Sequence, residues 1–132
     1  LEPKIKDILK KVKIKFSDKE DDLLSTDIGI TFCECLVART GSIIITSKQA
    51  SGRRLPVYAN FHIVIAYTSQ LVPNIKDGLK LIREKYNDKL PSMISTITGP
   101  SKTADIEKTL VQGAHGPKEL FVFLIDDVQE VK

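Results

Sequence analysis

Read as apolar and polar positions, the chain falls into short blocks whose period changes along its length. Ile5, Ile8, Leu9 and Val12 recur at helical spacing in a Lys-rich background, so residues 3 to 12 are predicted as an amphipathic helix. Lys13 to Phe16 follows as a short extended segment, and Ser17 to Ser25 as a polar connection. Ile28, Ile30 and Phe32 alternate, and the β-branched run from Gly41 to Ser47 is bounded by turn residues, so both predict strands. Lys48 to Arg54 reads as a polar loop. Phe61 to Tyr67 is a nearly continuous apolar strand of the kind buried on both faces, which predicts a central place in a sheet.

Pro73-Asn74 then opens a helix in which Ile75, Leu79, Ile82 and Tyr86 share one stripe, closed by Asn87-Asp88. Met93 to Thr98 predicts another strand. A glycine turn, a helix from about Thr103 to Val111, a loop around Gly113 to Pro117 and a last strand from Leu120 to Ile125 complete the chain. Strand, helix, strand, helix, strand from Phe61 onward predicts an α/β fold with an open, largely parallel sheet covered by helices on both faces. The hairpin-like pair before it predicts a mixed sheet.

Composition narrows the function classes. With 132 residues, 42% hydrophobic and 28% charged, one globular domain spanning 1–132 is expected. The formal charge is only +3, with 20 basic residues dispersed among 17 acidic ones, which argues against nucleic acid as a partner. No apolar run approaches the roughly 20 residues of a membrane span, and Leu1-Glu2-Pro3-Lys4 has no signal-peptide layout. A soluble, cytoplasmic protein is the expectation, with residues of the native amino terminus absent from the start. Cys33 and Cys35 are too few for a disulfide framework and fit a reducing compartment. They cannot alone supply the four ligands of an iron–sulfur cluster or a structural zinc site, so small buried hydrophobes are their expected role.

The candidate chemistry gathers in a few turns. In an open α/β sheet, ligands bind where strand-to-helix loops meet. Gly99 permits a tight turn, Ser101 or Thr103 can cap the predicted helix, and the free N–H groups there can hold a phosphate or carboxylate beside Lys102. The plainer alternative is a well-capped helix start with Asp105 and Glu107 offsetting the dipole. His115, between glycines in a loop, can act as acid, base or donor, or simply satisfy nearby backbone. His62 lies in an apolar strand, where a satisfied core histidine is the simpler role. Arg39-Thr40-Gly41-Ser42 and Ser51-Gly52-Arg53-Arg54 are further turns able to meet an anion or to serve only as a strand-leading turn and a solvated loop. No Ser-His-Asp order, Walker loop or dinucleotide fingerprint is present.

Together these segments resemble the LUD domain, the lactate-utilization protein family. The carrying residues are Gly29-Ile30-Thr31, Ala38 with Thr40-Gly41-Ser42, His62-Ile63, Ser69-Gln70-Leu71-Val72-Pro73, Gly99 through Glu107, and His115-Gly116-Pro117-Lys118-Glu119-Leu120. The resemblance runs from about Asp27 to Ile125. It implies a three-layer α/β/α sandwich with a mixed, mainly parallel central sheet, like the group of CoA-transferases, ribose-5-phosphate isomerase and glucosamine-6-phosphate deaminase. It also implies a bacterial system that oxidises L-lactate to pyruvate with iron–sulfur proteins as partners, this chain being an accessory component with no cofactor of its own.

Site candidates carried over are Thr40, Gly41, Ser42, Gly99, Ser101 and Thr103 for binding a small anionic metabolite, and His62, Asp105 and His115 for catalysis. Where the family often has Glu before Thr-Gly-Ser, this chain has Arg39, and it lacks the cysteine motifs of relatives that carry ferredoxin-like modules. Two other functions stay open: an enzyme acting on a phosphorylated or CoA-linked metabolite, and a non-catalytic binding or assembly module.

Overall fold

A computed structural model describes residues 3–17, 22, 25–50, 52, 54–104, 110–112 and 116–128. The isoleucine run forms β3 (Ser42–Thr46), with every residue buried. It is buried on both faces because it lies between two layers. On one side Ile43 and Ile45 pack with Val64 and Ala66 of β4 (Phe61–Tyr67) and with Cys33. On the other, Ile44 packs with Cys35 and Val37 of β2 (Cys35–Val37) and Ile82 of α3 (Ile75–Tyr86).

β3 belongs to one of two hydrogen-bonded sheets, and the layers on either side of it are the other sheet and α3. β1 (Ile28–Phe32), β4 and β9 (Glu119–Ile125) form an all-parallel sheet in the order β1-β4-β9, with β4 central as its apolar run predicts. β5 (Leu71–Val72), β2, β3 and β6 (Ile94–Ile97) form the second, in the order β5-β2-β3-β6. There β2 runs parallel to β5, while β3 is antiparallel to both β2 and β6. The fold class is α/β with a mainly parallel central sheet, as expected.

α3 begins where the Asp77 carboxylate accepts the Asn74 backbone N–H at 3.1 Å, a reciprocal use of an otherwise unpaired donor. It ends at Asn87, whose φ of +45° turns the chain out of the helix. Its buried stripe is narrower than the sequence predicts. Gly78 and Ile82 are buried, but Ile75 and Leu79 stay 40% and 44% exposed. A Cβ on Gly78 would stand 2.8 Å from Ile44 Cδ1 and 2.9 Å from Cys35 Sγ, so the absent side chain is what lets helix and sheet approach.

Four expectations need correction. Where the helix predicted over 103–111 falls on described residues, these are strands instead: β7 (Lys102–Ala104) and β8 (Leu110–Gln112) pair antiparallel, with Thr103 opposite Val111. Its helical stripe rested on little more than Ile106 and Leu110, while Thr103, Thr109 and Val111 are β-branched and favour extended backbone. The second correction concerns β4, which is buried on one face only; Ile63, Ile65 and Tyr67 remain half-buried. Third, the polar loop after β3 leads at once into a one-turn helix, α2 (Leu55–Tyr58), which accommodates Pro56 at its start. Fourth, the segment expected to be extended from Lys13 opens on a turn, Lys13 having a left-handed φ of +57°, while the helix before it is present as α1 (Pro3–Lys11). Among the described residues, no helix is long and apolar enough to cross a membrane.

Candidate functional site

The pairing of β3 with β6 decides where the glycine turns lie. Their antiparallel register sets Ile43 opposite Ile97, so Ser42 at the start of β3 comes beside Thr98 just past the end of β6. The Ser42 hydroxyl lies 2.8 Å from that of Thr98 and 2.7 Å from that of Thr40. Ser42 is buried, while Thr40 and Thr98 are exposed. Each hydroxyl has a single proton to donate. Three hydroxyls joined by two bonds therefore leave one O–H not used within the chain, on whichever of the three does not donate along it.

Gly41 and Gly99 flank this chain with φ of +63° and +88°, and a Cβ on either would meet nothing within 4 Å. Backbone conformation, not space, requires glycine at both. A third segment joins them. The Ser101 backbone N–H donates to the Pro117 carbonyl at 2.8 Å, and a Cβ on Gly116 would lie 3.2 Å from Ser101 Cβ. Lys118 N–H in turn donates to the Asn60 carbonyl at 2.8 Å, tying this loop to the residue preceding β4. Thr40–Ser42, Thr98–Ser101 and Gly116–Pro117 thus converge, with exposed Arg39, Lys102 and Lys118 in the same segments.

The remaining candidates lie in strands or outside the described residues. Thr103 lies in β7, not at a helix start, so no helix dipole follows the Gly99 turn and any anion there depends on hydroxyls, backbone N–H groups and nearby cations. Asp105 and His115 lie outside the described residues. His62 is fully buried on the inner face of β4, its Nε2 2.8 Å from the Thr31 hydroxyl of β1 and its Nδ1 without a partner. Burial holds its pKa down to about 4, so the ring is neutral at physiological pH.

Two polar centres escape sequence reading. Glu34 is 4% exposed, and its carboxylate accepts from the Thr46 hydroxyl, the Tyr86 hydroxyl and Lys85 Nζ, each at 2.7 Å. Burial alone would raise its pKa; the Lys85, Thr46 and Tyr86 donors together hold it below the usual carboxylate value. A lone carboxylate in the apolar stretch Thr31-Phe32-Cys33-Glu34-Cys35-Leu36-Val37 is the signal that could have flagged it. The second is Gln70, which donates to the Cys33 carbonyl at 2.7 Å and accepts the Tyr67 N–H at 2.8 Å, locking the ends of β1 and β4 together.

Cys33 and Cys35 are buried free thiols. Burial first, then neighbouring charge, pushes them up to about 12 and about 11. Among the described residues, no group of three or more His, Cys, Asp or Glu is placed to hold a metal ion.

The comparisons with known proteins cover the segments that build this cluster. Residues 2–125 match the LUD domain family model. The chain is 34% identical over 115 residues to lactate utilization protein C 1 of Bacillus mycoides (strain KBAB4), covering 83% of this chain and 49% of that protein. It is 36% identical over 103 residues to lactate utilization protein C of Bacillus subtilis (strain 168), covering 76% and 43%. It therefore spans a little under half the length of these relatives. The crystal structure of a DUF162 family protein from Deinococcus radiodurans has a similar fold, with a TM-score of 0.56 at 24% identity, over 83% of this chain and 58% of that one. Matched over residues 2–125 by the family model and over 83% and 76% of its length by relatives above 30% identity, the chain belongs to the LUD domain family.

Proposed function

We propose that this LUD domain is an accessory component of a system that oxidises L-lactate to pyruvate, and that it receives a small anion where Thr40–Ser42, Thr98–Ser101 and Gly116–Pro117 meet. The observation that carries the reading is the hydroxyl chain Thr40–Ser42–Thr98, drawn together by the β3–β6 register between two glycines in left-handed conformation. Such a turn exposes backbone N–H groups and leaves one hydroxyl proton unused within the chain, a donor set suited to a carboxylate. The relatives' names supply the lactate system.

Iron–sulfur clusters belong to partner proteins in this reading, because two buried, protonated cysteines do not make a cluster's four-thiolate set. Non-catalytic binding or assembly is the second reading, favoured by one feature: Ser42 is hydrogen-bonded to hydroxyls, not to a base that could activate it. Removing the gene and restoring it as wild type or as Gly99→Val tests the proposal. Growth on L-lactate should fail without the gene, return with wild type and return only weakly with the variant, while growth on a non-lactate carbon source is unchanged. Undiminished growth of the deletion strain on L-lactate would overturn it.

A further inference from the structure

β9 stands at the margin of the parallel sheet. β4 pairs with it along its whole length, and among the described residues no strand pairs with its other edge. Its exposure differs in kind from that of β4. Val64 and Ala66 on the inner face of β4 are fully buried, yet Val122 and Leu124, beside them in register on β9, are 45% and 49% exposed. On the outer face Phe121, Phe123 and Ile125 are 44–56% exposed. Both faces of β9 are open alike, so what it wants is a lateral neighbour and not a cover.

Edge strands ordinarily carry devices against pairing, such as a lysine, a proline, a bulge or short length. β5 and β6, at the edges of the other sheet, have only two and four residues. β9 has no lysine, proline or glycine from Glu119 to Ile125, and its register with β4 is unbroken. Its sequence is suited instead to meet itself. Leu120-Phe121-Val122-Phe123-Leu124 reads the same in both directions, and exposed Lys118 and Asp126 are equally spaced about Val122.

Two copies joined antiparallel on a two-fold axis at Val122 set Leu120 opposite Leu124 on the inner face and Phe121 opposite Phe123 on the outer. The same register sets Lys118 opposite Asp126 at both ends of the ladder. Apolar and charged positions thus both find complementary cross-strand partners. Backbone direction agrees. Glu119 N–H donates to the Asn60 carbonyl at 3.4 Å, so Glu119 and the residues in step with it turn their backbone groups toward β4. Leu120, Val122 and Leu124 turn theirs to the open edge, as a hydrogen-bonded pair centred on Val122 requires.

We propose that β9 is a self-association edge, where a second copy of this chain adds its own β9 antiparallel and continues the sheet as β1-β4-β9-β9-β4-β1. At roughly 200 Å² per large side chain, the exposed residues Phe121 to Ile125 present about 450 Å² per copy, or about 900 Å² for two. That is less than the roughly 1,200 Å² of a permanent interface, so the dimer is a reversible one, with a Kd expected at about 1–100 µM.

Sedimentation equilibrium across that concentration range, on wild type and charge variants, tests the pairing. Wild type should pass from monomer to dimer. Lys118→Asp or Asp126→Lys alone should raise the Kd at least about fivefold by setting like charges opposite each other, and the double variant should restore association. The two residues lie at opposite ends of one strand, so rescue can come only from contact between copies. Register is read by crosslinking. Val122→Cys brings two thiols face to face at the Cα separation of roughly 5.5 Å that a disulfide spans. Oxidised glutathione should convert this variant to a covalent dimer, and Phe123→Cys, whose thiols are out of step, should stay monomeric under denaturing electrophoresis; native Cys33 and Cys35 are buried. A wild type monomeric at every concentration, association indifferent to the charge changes, or equal crosslinking of the two cysteine variants would overturn the proposal. So would open filaments, the sign that β9 meets the β1 edge of the next copy.

Discussion

Replacing His62 by Leu together with Thr31 by Val should remove a specific acid sensitivity from the protein. The folded pKa of about 4 lies below the ordinary 6.5 because the ring is buried on the inner face of β4. Between those values the unfolded chain takes up a proton that the folded chain refuses, so stability from this group is full above pH 6.5 and is lost as pH falls toward 4. Going from about pH 7.5 to about pH 4.5, the loss is about 2.5 kcal/mol for these two pKa values.

Removing both partners at once avoids orphaning the Thr31 hydroxyl, so the double variant should stay within about 1 kcal/mol of wild type at neutral pH. Urea unfolding at both pH values is the assay. At a slope of about 1–3 kcal/mol per molar urea, the wild-type midpoint should fall by about 1–2 M more than the variant's on acidification. Equal falls in the two proteins would refute the reasoning, because other carboxylates contribute alike to both.

The Glu34 cluster yields a second stability prediction: Lys85→Met should cost about 1–2 kcal/mol, discounted because the Lys85 side chain is 55% exposed. A double-mutant cycle with Glu34→Gln should show coupling of at least about 0.5 kcal/mol by chemical denaturation, and strict additivity would count against the ion pair. Gly78→Val should destabilise by roughly 1–3 kcal/mol in the same assay, since its Cβ would press on Ile44 and Cys35. Cys33 and Cys35, with pKa values of about 12 and about 11, should resist a thiol reagent at neutral pH in the native protein and both react on unfolding. Rapid labelling of the native protein would contradict their burial.

Legibility in the sequence followed the range of the interactions. The isoleucine run of β3 and the helical period of α3 are local signals, and both elements lie where those signals put them. The stretch after Gly99 misled because Ile106 and Leu110 mimic a helical stripe, whereas cross-strand pairing at Thr103 and Val111 decided its form. β4 looked doubly buried because residue type records a need for cover, not whether the chain between β1 and β9 supplies it. The glycine turns of the candidate site were visible singly. Their meeting was not, since it depends on a bond between Ser42 and Thr98, 56 residues apart. Glu34 was hidden for the same reason, its Lys85 and Tyr86 donors coming from α3, 51 and 52 residues away.

The central claim is that the three converging segments receive a small anion, and amide chemical-shift mapping tests it most directly. Titrating the 15N-labelled protein with L-lactate, and in parallel with pyruvate and inorganic phosphate, should move the amide signals of Gly41, Ser42, Gly99 and Ser101 in a saturable way for at least one of them. The Ser42→Ala variant should respond more weakly. Saturable shifts confined to other parts of the molecule, or none with any of the three anions, would contradict the account.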